Sequence, residues 1–291
     1  MAVDTTTAPE LTAEQVQRIL VQPLEAVSQF LASGPRIFDS ASPVRIPKMG
    51  GPTSPAWHGE NEQITEQDVT FDEVTLLPST MESVKVLTRF SNELARQSVV
   101  SLDQALKDRL VRDVAAKIDA QLFSATGNGT TLPRGLFAYA GTQDLPVDGE
   151  LTLDHLHDAE GMVLAANVDP SRVRWVMTSR EFVALRKVKD LQERYQLTPD
   201  PTEAGVYRLL GHAVTVTNRV PDTTGTPNTG NAALVDFSQI AVARDQAPSV
   251  KVLDQTFGDY DQMALRVTAR YDAAPLNAQA VVKLTGIELP A

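Results

Sequence analysis

The most regular pattern in the chain is the segment SLDQALKDRLVRDVAAKIDAQLF, residues 101 to 123, where Leu102, Leu106, Leu110, Val114, Ile118 and Leu122 recur at every fourth position. Val111 and Ala115 widen that stripe and polar residues fill the other faces. The spacing predicts an amphipathic helix of about 23 residues, roughly 35 Å long. Ser101 is placed to cap it, with Gln104 three residues on. Asp103–Lys107, Asp108–Arg112 and Asp113–Lys117 are successive i,i+4 pairs with the acid on the N-terminal side, each contributing about 0.2–0.5 kcal/mol.

Two segments before this helix alternate with period two. In VTFDEVTLL, Val69, Phe71, Val74 and Leu76 interleave with polar residues, and in SVKVLTRF the inward set is Val84, Val86, Thr88 and Phe90. Both read as strands, and the reading joins them in a hairpin turning near Pro78 and Ser79. The first overlaps WHGENEQITEQDVTFDE, an acid-rich ribbon with few apolar anchors, and such a hairpin folds poorly without other surface to cover it. Upstream, Val16, Ile19, Leu20, Leu24, Val27 and Leu31 predict a helix opening at Thr12 and kinked at Pro23. SGPRIFDSASPVRIPKMGGPTSPA then reads as an extended arm without regular structure that lies on something else.

Beyond residue 150 the periods mix. LDHLHDAEGMVLAAN predicts a helix ending at Asn167, VRWVMT a short buried strand, and Thr178 with Glu181 a capping box that opens the helix REFVALRKVKD. HAVTVTNRV and AALVDFSQIAVAR add strands, and the C-terminal segment gives two more, broken near Pro275. Strands and helices in this order predict an α+β layer architecture.

Composition narrows the functions. The formal net charge of −11 lacks the clustered Lys and Arg of a protein that grips nucleic acid. The absence of cysteine excludes disulfides, thiol catalysis and Cys-ligated zinc. The N-terminal residues show no secretory signal, and no apolar run approaches the roughly 20 residues of a membrane span. Gly127, Gly129 and Gly135 resemble a phosphate loop, but they follow a long helix, whose C-terminal dipole end repels anions. A C-cap and turn is the expected role. His155 and His157 are two apart on a helix and face different ways, whereas a metal pair needs i,i+4 spacing. Asp259 and Asp261 are the remaining candidate carboxylate pair, and a metal-dependent enzyme using them with a histidine is the reading from a different class.

Taken in order, these pieces resemble the major capsid proteins of tailed bacteriophages, the HK-ninety-seven-type shell fold. The likeness rests on the Trp57-containing acidic segment and on Ser91, Glu93 and Leu94 ahead of the long helix. It continues through Gly127, Gly129 and Thr130, then Pro133, Gly135 and Leu136, the strand around Trp175, LLGHAVTVTNRVP with Ala213 where proline is usual, and closing strands containing Arg270. It covers roughly residues 55 to 291. The resemblance implies a phage capsid shell fold with an N-terminal arm (1–54), an extended E-loop hairpin (55–90), a peripheral domain with a long spine helix (91–150 and 261–291) and an axial domain (151–260). It implies a virion subunit without catalysis or cofactor, assembled in the host cytoplasm as pentamers and hexamers around DNA bound without sequence specificity. A separate scaffolding protein, a portal and decoration proteins are the expected partners, and no membrane is. An encapsulin-type nanocompartment shell enclosing cargo enzymes is the alternative. Trp57, Glu60, Glu62, Glu66, Asp68, Asp72 and Glu73 are then the candidate inter-subunit contacts.

Self-crosslinking members of that family join a Lys to a neighbour's Asn with the help of a Glu. Alignment puts Ile64, Asp261 and Thr268 at those positions, so the required residues are missing. Purified shells boiled in SDS are therefore expected to run as a single monomer band. A ladder of covalent multimers on the same gel contradicts this.

Overall fold

The computed structural model describes residues 27–49, 57–61, 63, 71–93, 102–189, 192–197, 207–222 and 228–288. The expected helix before residue 27, the cap at Ser101, and Glu62, Ile64, Glu66 and Asp68 lie outside these residues.

The long apolar stripe forms the predicted helix, α2 (Leu102–Leu122), preceded in the chain by a single turn, α1 (Gln29–Ala32). Leu110, Val111, Val114, Ala115, Ile118 and Leu122 are all buried. At about 1.5–3 kcal/mol per large apolar side chain, this stripe stabilises the fold by on the order of 10 kcal/mol. Its partner is a four-stranded sheet with the order β1-β10-β11-β4, formed by β1 (Arg36–Asp39), β4 (Val84–Ser91), β10 (Ile240–Phe257) and β11 (Gln262–Pro275). Alternation along β11 decides which face meets the helix. Leu265, Val267, Ala269, Tyr271 and Ala273 point into the core shared with α2, while Arg266 between them is exposed.

A six-stranded sheet, β5-β12-β9-β6-β8-β7, forms the second layer. Its strands are β5 (Gln143–Gly149), β6 (Val173–Met177), β7 (Arg208–Leu209), β8 (His212–Val216), β9 (Thr229–Asp236) and β12 (Val281–Glu288). One face, through Val176, Ala233, Val235 and Val281, joins the α2 core. The other, through Trp175, Met177, Leu234, Val282 and Leu284, packs under α3 (Leu153–Ala165) and α4 (Ser179–Arg186). Both helices start as expected. Thr178 Oγ1 accepts the Arg180 N–H at 3.2 Å and donates to the Glu181 carboxylate. Asn167, at φ 54°, closes the turn after α3. β5 and β12, from the expected peripheral segments, are strands of the same sheet as β6, β8 and β9 from the expected axial segment.

Two readings are corrected. The arm segment is not free of regular structure, because Arg36–Asp39 runs parallel to Ala241–Arg244 of β10, and β2 (Val44–Met49) pairs with β3 (Phe71–Leu76). The predicted hairpin between β3 and β4 does not form among the described residues, where β3 pairs with β2 and β4 pairs with β11. The connection 77–83 is an anchor instead of a turn. Leu76, Leu77 and Met81 are buried against Ala241 and Ala243 of β10, and Glu82 N–H reaches Thr131 O at 2.8 Å. Those apolar residues gain more by plugging the sheet than by exposing themselves in a two-strand turn.

The glycine segment answers its own question. The Asn128 side-chain oxygen accepts the N–H groups of Thr130, Thr131 and Leu132 at 2.9, 2.9 and 3.2 Å. Amides a phosphate would use are thus engaged within the turn. Gly127 sits at φ +109°, where an added Cβ meets Pro133 O at 2.1 Å, whereas Gly34, at φ +93°, has nothing within 4 Å. Gly127→Ala is expected to destabilise the chain by about 3 kcal/mol or more and Gly34→Ala by about 1–2 kcal/mol. Denaturant unfolding of the unassembled protein separates the two; equal losses refute the steric account.

Candidate functional site

The surfaces that singled themselves out in the sequence are the arm and the acidic ribbon, and buried carboxylates tie each to the body. For the arm, the carboxylate acts at α1, ahead of the strand β1 that pairs with β10. Asp119, on the buried side of α2, accepts Ser28 Oγ at 2.6 Å, Gln29 N–H at 2.9 Å and Phe30 N–H at 3.3 Å. A carboxylate of the spine helix therefore caps the start of α1. Burial pushes the Asp119 carboxyl above its usual range, against the opposing pull of those three donors. Phe30 completes the joint, edge-on to Phe123 and Phe237 with centroids 5.1 and 5.4 Å away. Farther along, Asp39 makes a two-point ion pair with Arg244, which holds its carboxyl below the usual range.

The ribbon is tied at Leu77, which adopts φ 53°. Its N–H donates to Asp272 Oδ2 at 2.9 Å, and the other oxygen accepts Ala273 N–H at 2.9 Å. Asp272 is buried, and desolvation raises its carboxyl to about 6, with these two donors and the Arg134 charge pulling the other way. Nearby, the charge of Asp272 adds to burial in pushing the Tyr139 phenol up. Lys283, also buried, donates to Phe137 O and Tyr139 O at 3.4 and 3.3 Å and pairs with Asp144 at 3.0 Å. It fixes the segment after the glycine turn on β12.

Outward from that base, described residues of the ribbon are exposed. Asp72, Glu73 and Glu60 are exposed, Trp57 is fully exposed and Phe71 is 74% exposed. Glu73 reaches Arg45 only at 3.9 Å, with both side chains largely in solvent. The two described crosslink-position residues, Asp261 and Thr268, are not brought together within the chain. Asp261, at φ 50°, accepts Asn92 Nδ2 at 2.6 Å, while Thr268 lies seven residues on along β11 between Ser249 and Lys85, a separation on the order of 20 Å.

Among the described residues, no three of His, Asp and Glu gather as metal ligands. His155 takes the N3 place in the Thr152 capping box, and His212 and His157 both lie beside Glu160. A cleft beside α1 is lined by Arg112, Asp119, Ser179, Thr217 and Arg219, but its one buried acid is the one that caps α1. No described helix is long and apolar enough to cross a membrane.

The sequence reading passed over Asp119 and Asp272. Asp119 had a signal: it sits at the apolar spacing Ala115, Ile118, Asp119, Leu122, where an acid needs a reason. Asp272 had none, because it lies opposite the inward set of its strand and only the docking of Leu77 buries it.

A helix is thus packed on one face of a long sheet, with β1 of the arm paired along its edge and the base of the ribbon docked on its other face. The sequence model of the phage capsid family matches residues 9–286, and the chain belongs to that family. No curated protein matches it. Among solved structures, the capsid of an empty GTA particle is similar at TM-score 0.71 and 17% identity, covering 89% of this chain and 90% of that one. A structure from Mycobacterium phage Bobi has TM-score 0.70 at 17% identity over 89% and 90% of the two chains. One from Microbacterium phage Oxtober96 has TM-score 0.71 at 14% identity over the same shares. The protein is thus a structural subunit of the capsid shell type.

Because the fold raises the Asp272 carboxyl to about 6 from an ordinary 3.8, the folded chain holds a proton that the unfolded chain releases between those values. Stability contributed at this site therefore rises as pH falls from 7 through 6 toward 4, by on the order of 3 kcal/mol in full. Urea midpoints at pH 7.5 and 5.0 are expected to differ less in Asp272→Asn than in the native chain. An unchanged difference contradicts the assignment.

Proposed function

We propose that this protein is the major capsid subunit of a tailed-phage head, closing with copies of itself into an icosahedral shell around double-stranded DNA. Membership of the phage capsid family across residues 9–286 carries the reading. The acidic segment supports it: six acids lie between Glu60 and Glu73 in the sequence, and Glu60, Asp72 and Glu73 are exposed, which suits burial on a neighbour. Interfaces that complete obligate assemblies commonly bury ~2,000–5,000 Å², and many such contacts related by symmetry close a stable shell.

In this reading residues 91–150 and 261–291 form the peripheral domain and residues 151–260 the axial domain at the centre of pentamers and hexamers. The β5 and β12 strands link the two. A separate scaffolding protein and a portal assist assembly in the host cytoplasm, and decoration proteins bind from outside. The encapsulin alternative is less favoured, since family and similar structures point to phage heads and phage-like particles.

The test is expression of the full chain, alone and with the scaffolding protein from its own gene neighbourhood, followed by sedimentation and negative-stain microscopy. Closed shells of uniform diameter are expected. A monodisperse monomer under both conditions refutes the assignment.

A further inference from the structure

We propose that the cleft beside α1 is a binding site for a phosphate group. The inference goes beyond the capsid reading and stands on the single chain.

Distant segments build this cleft, whose volume of about 430 Å³ lies within the range of small-ligand sites. Arg112 comes from α2, Ser179 opens α4, and Thr217, Asn218 and Arg219 form the turn after β8. The turn is held by its own backbone. Thr217 N–H donates to Met177 O at 3.0 Å, at the end of β6, and Thr217 Oγ1 accepts the Arg219 N–H at 3.3 Å. Asn218 and Arg219 are therefore set in place before any ligand arrives.

Two cations and one acid line the cleft, and the acid is already committed. Asp119 turns its two oxygens to Ser28, Gln29 and Phe30. Burial raises its carboxyl, and the charge of Arg219 is the weakest of the pulls that lower it, so Arg219 is near enough to be felt but forms no ion pair there. Arg112 has no ion pair among the described residues either. Other arginines close by are matched: Arg109 pairs with Asp113 at 3.0 Å and Arg180 with Asp222 at 2.8 Å. Two guanidinium groups on one cleft repel each other, and an anion between them turns that repulsion into two attractions.

Uncharged donors are left over at the same place. Ser179 Oγ gives its proton to Asn218 Oδ1 at 3.1 Å, which leaves Asn218 Nδ2 as the donating end of that amide. Neither Asn218 Nδ2 nor the Thr217 hydroxyl proton has an acceptor among the described residues, and Thr217 is only 6% exposed. A hydroxyl so buried calls for an acceptor inside the cleft. Guanidinium forks match phosphate oxygens. Donors brought from α2 and from the turn suit an oxyanion with tetrahedral corners better than a planar carboxylate. A phosphate held there joins α2 to the turn after β8, across the start of the arm.

The probe is inorganic phosphate, added to the unassembled full chain at constant ionic strength with chloride as the reference. A saturable rise in thermal midpoint is expected. R112Q/R219Q is expected to raise the concentration for half effect at least about tenfold. K251Q/R266Q, which removes a directly opposed pair of cations on β10 and β11, is expected to leave it unchanged. N218D sets a carboxylate beside the same arginines and is expected to abolish the response. Circular dichroism checks that each variant folds. Fluorescence anisotropy of a short DNA duplex then separates the sources of phosphate. Duplex binding that phosphate displaces and R112Q/R219Q loses makes the ligand a backbone phosphate; a response to phosphate without duplex binding makes it a free phosphate compound. Both support the site. No rise beyond chloride, an unchanged response in R112Q/R219Q, or an equal loss in K251Q/R266Q overturns it. So does a native chain that ignores phosphate while R112Q/R219Q stops shell assembly, which assigns the two arginines to a neighbour's carboxylate.

Discussion

The structure depends on one two-faced sheet. Along β11, Leu265, Val267 and Ala269 are dry and Arg266 and Thr268 are not, because consecutive side chains of a strand point to opposite sides. The dry side needs a long apolar partner, and α2 supplies a stripe of matching length. Once that packing forms, the other side cannot join the same core, and its cations keep it from collapsing elsewhere. The sheet is sealed by α2 on one face and carries exposed Lys251 and Arg266 on the other.

Buried charge does the joining. Asp119, Asp272 and Lys283 each lie among apolar residues, where an unpaired charge costs several kcal/mol. Each is matched by backbone groups of a different segment: the arm at Gln29 and Phe30, the ribbon base at Leu77, and the Phe137–Tyr139 turn. Apolar packing alone leaves such segments free to slide. A carboxylate between two fixed N–H groups accepts one arrangement, so these residues give direction to projecting parts that have little other surface with which to orient themselves. They are points of attachment for those segments.

Much of this was legible in the residues. The fourfold spacing from Leu102 to Leu122, the Thr178–Glu181 box, the break near Pro275 and the turn role of Gly127 are local features, set by interactions within a few positions, and each is found where expected. The resemblance that organised the chain rested on the order of such local features. Strand pairing was not legible in the same way. VTFDEVTLL and SVKVLTRF are both strands, but adjacency in sequence suggested a hairpin, while Val44 and Ile46, interrupted by Pro47, gave too weak an alternation to announce the partner that β3 takes. Asp272 looked like a surface residue for the same reason: what buries it is about 195 positions away in the chain.

The sequence by itself determined the helix, the strands, the turns and the charge of the ribbon, because propensity, capping and alternation act between neighbours along the chain. Tertiary structure alone decided that β3 pairs with β2, that Leu77 plugs the sheet, and that Arg112 and Arg219 meet at one cleft. Those outcomes depend on which apolar sides find each other in space, and a linear pattern records each side without recording its partner.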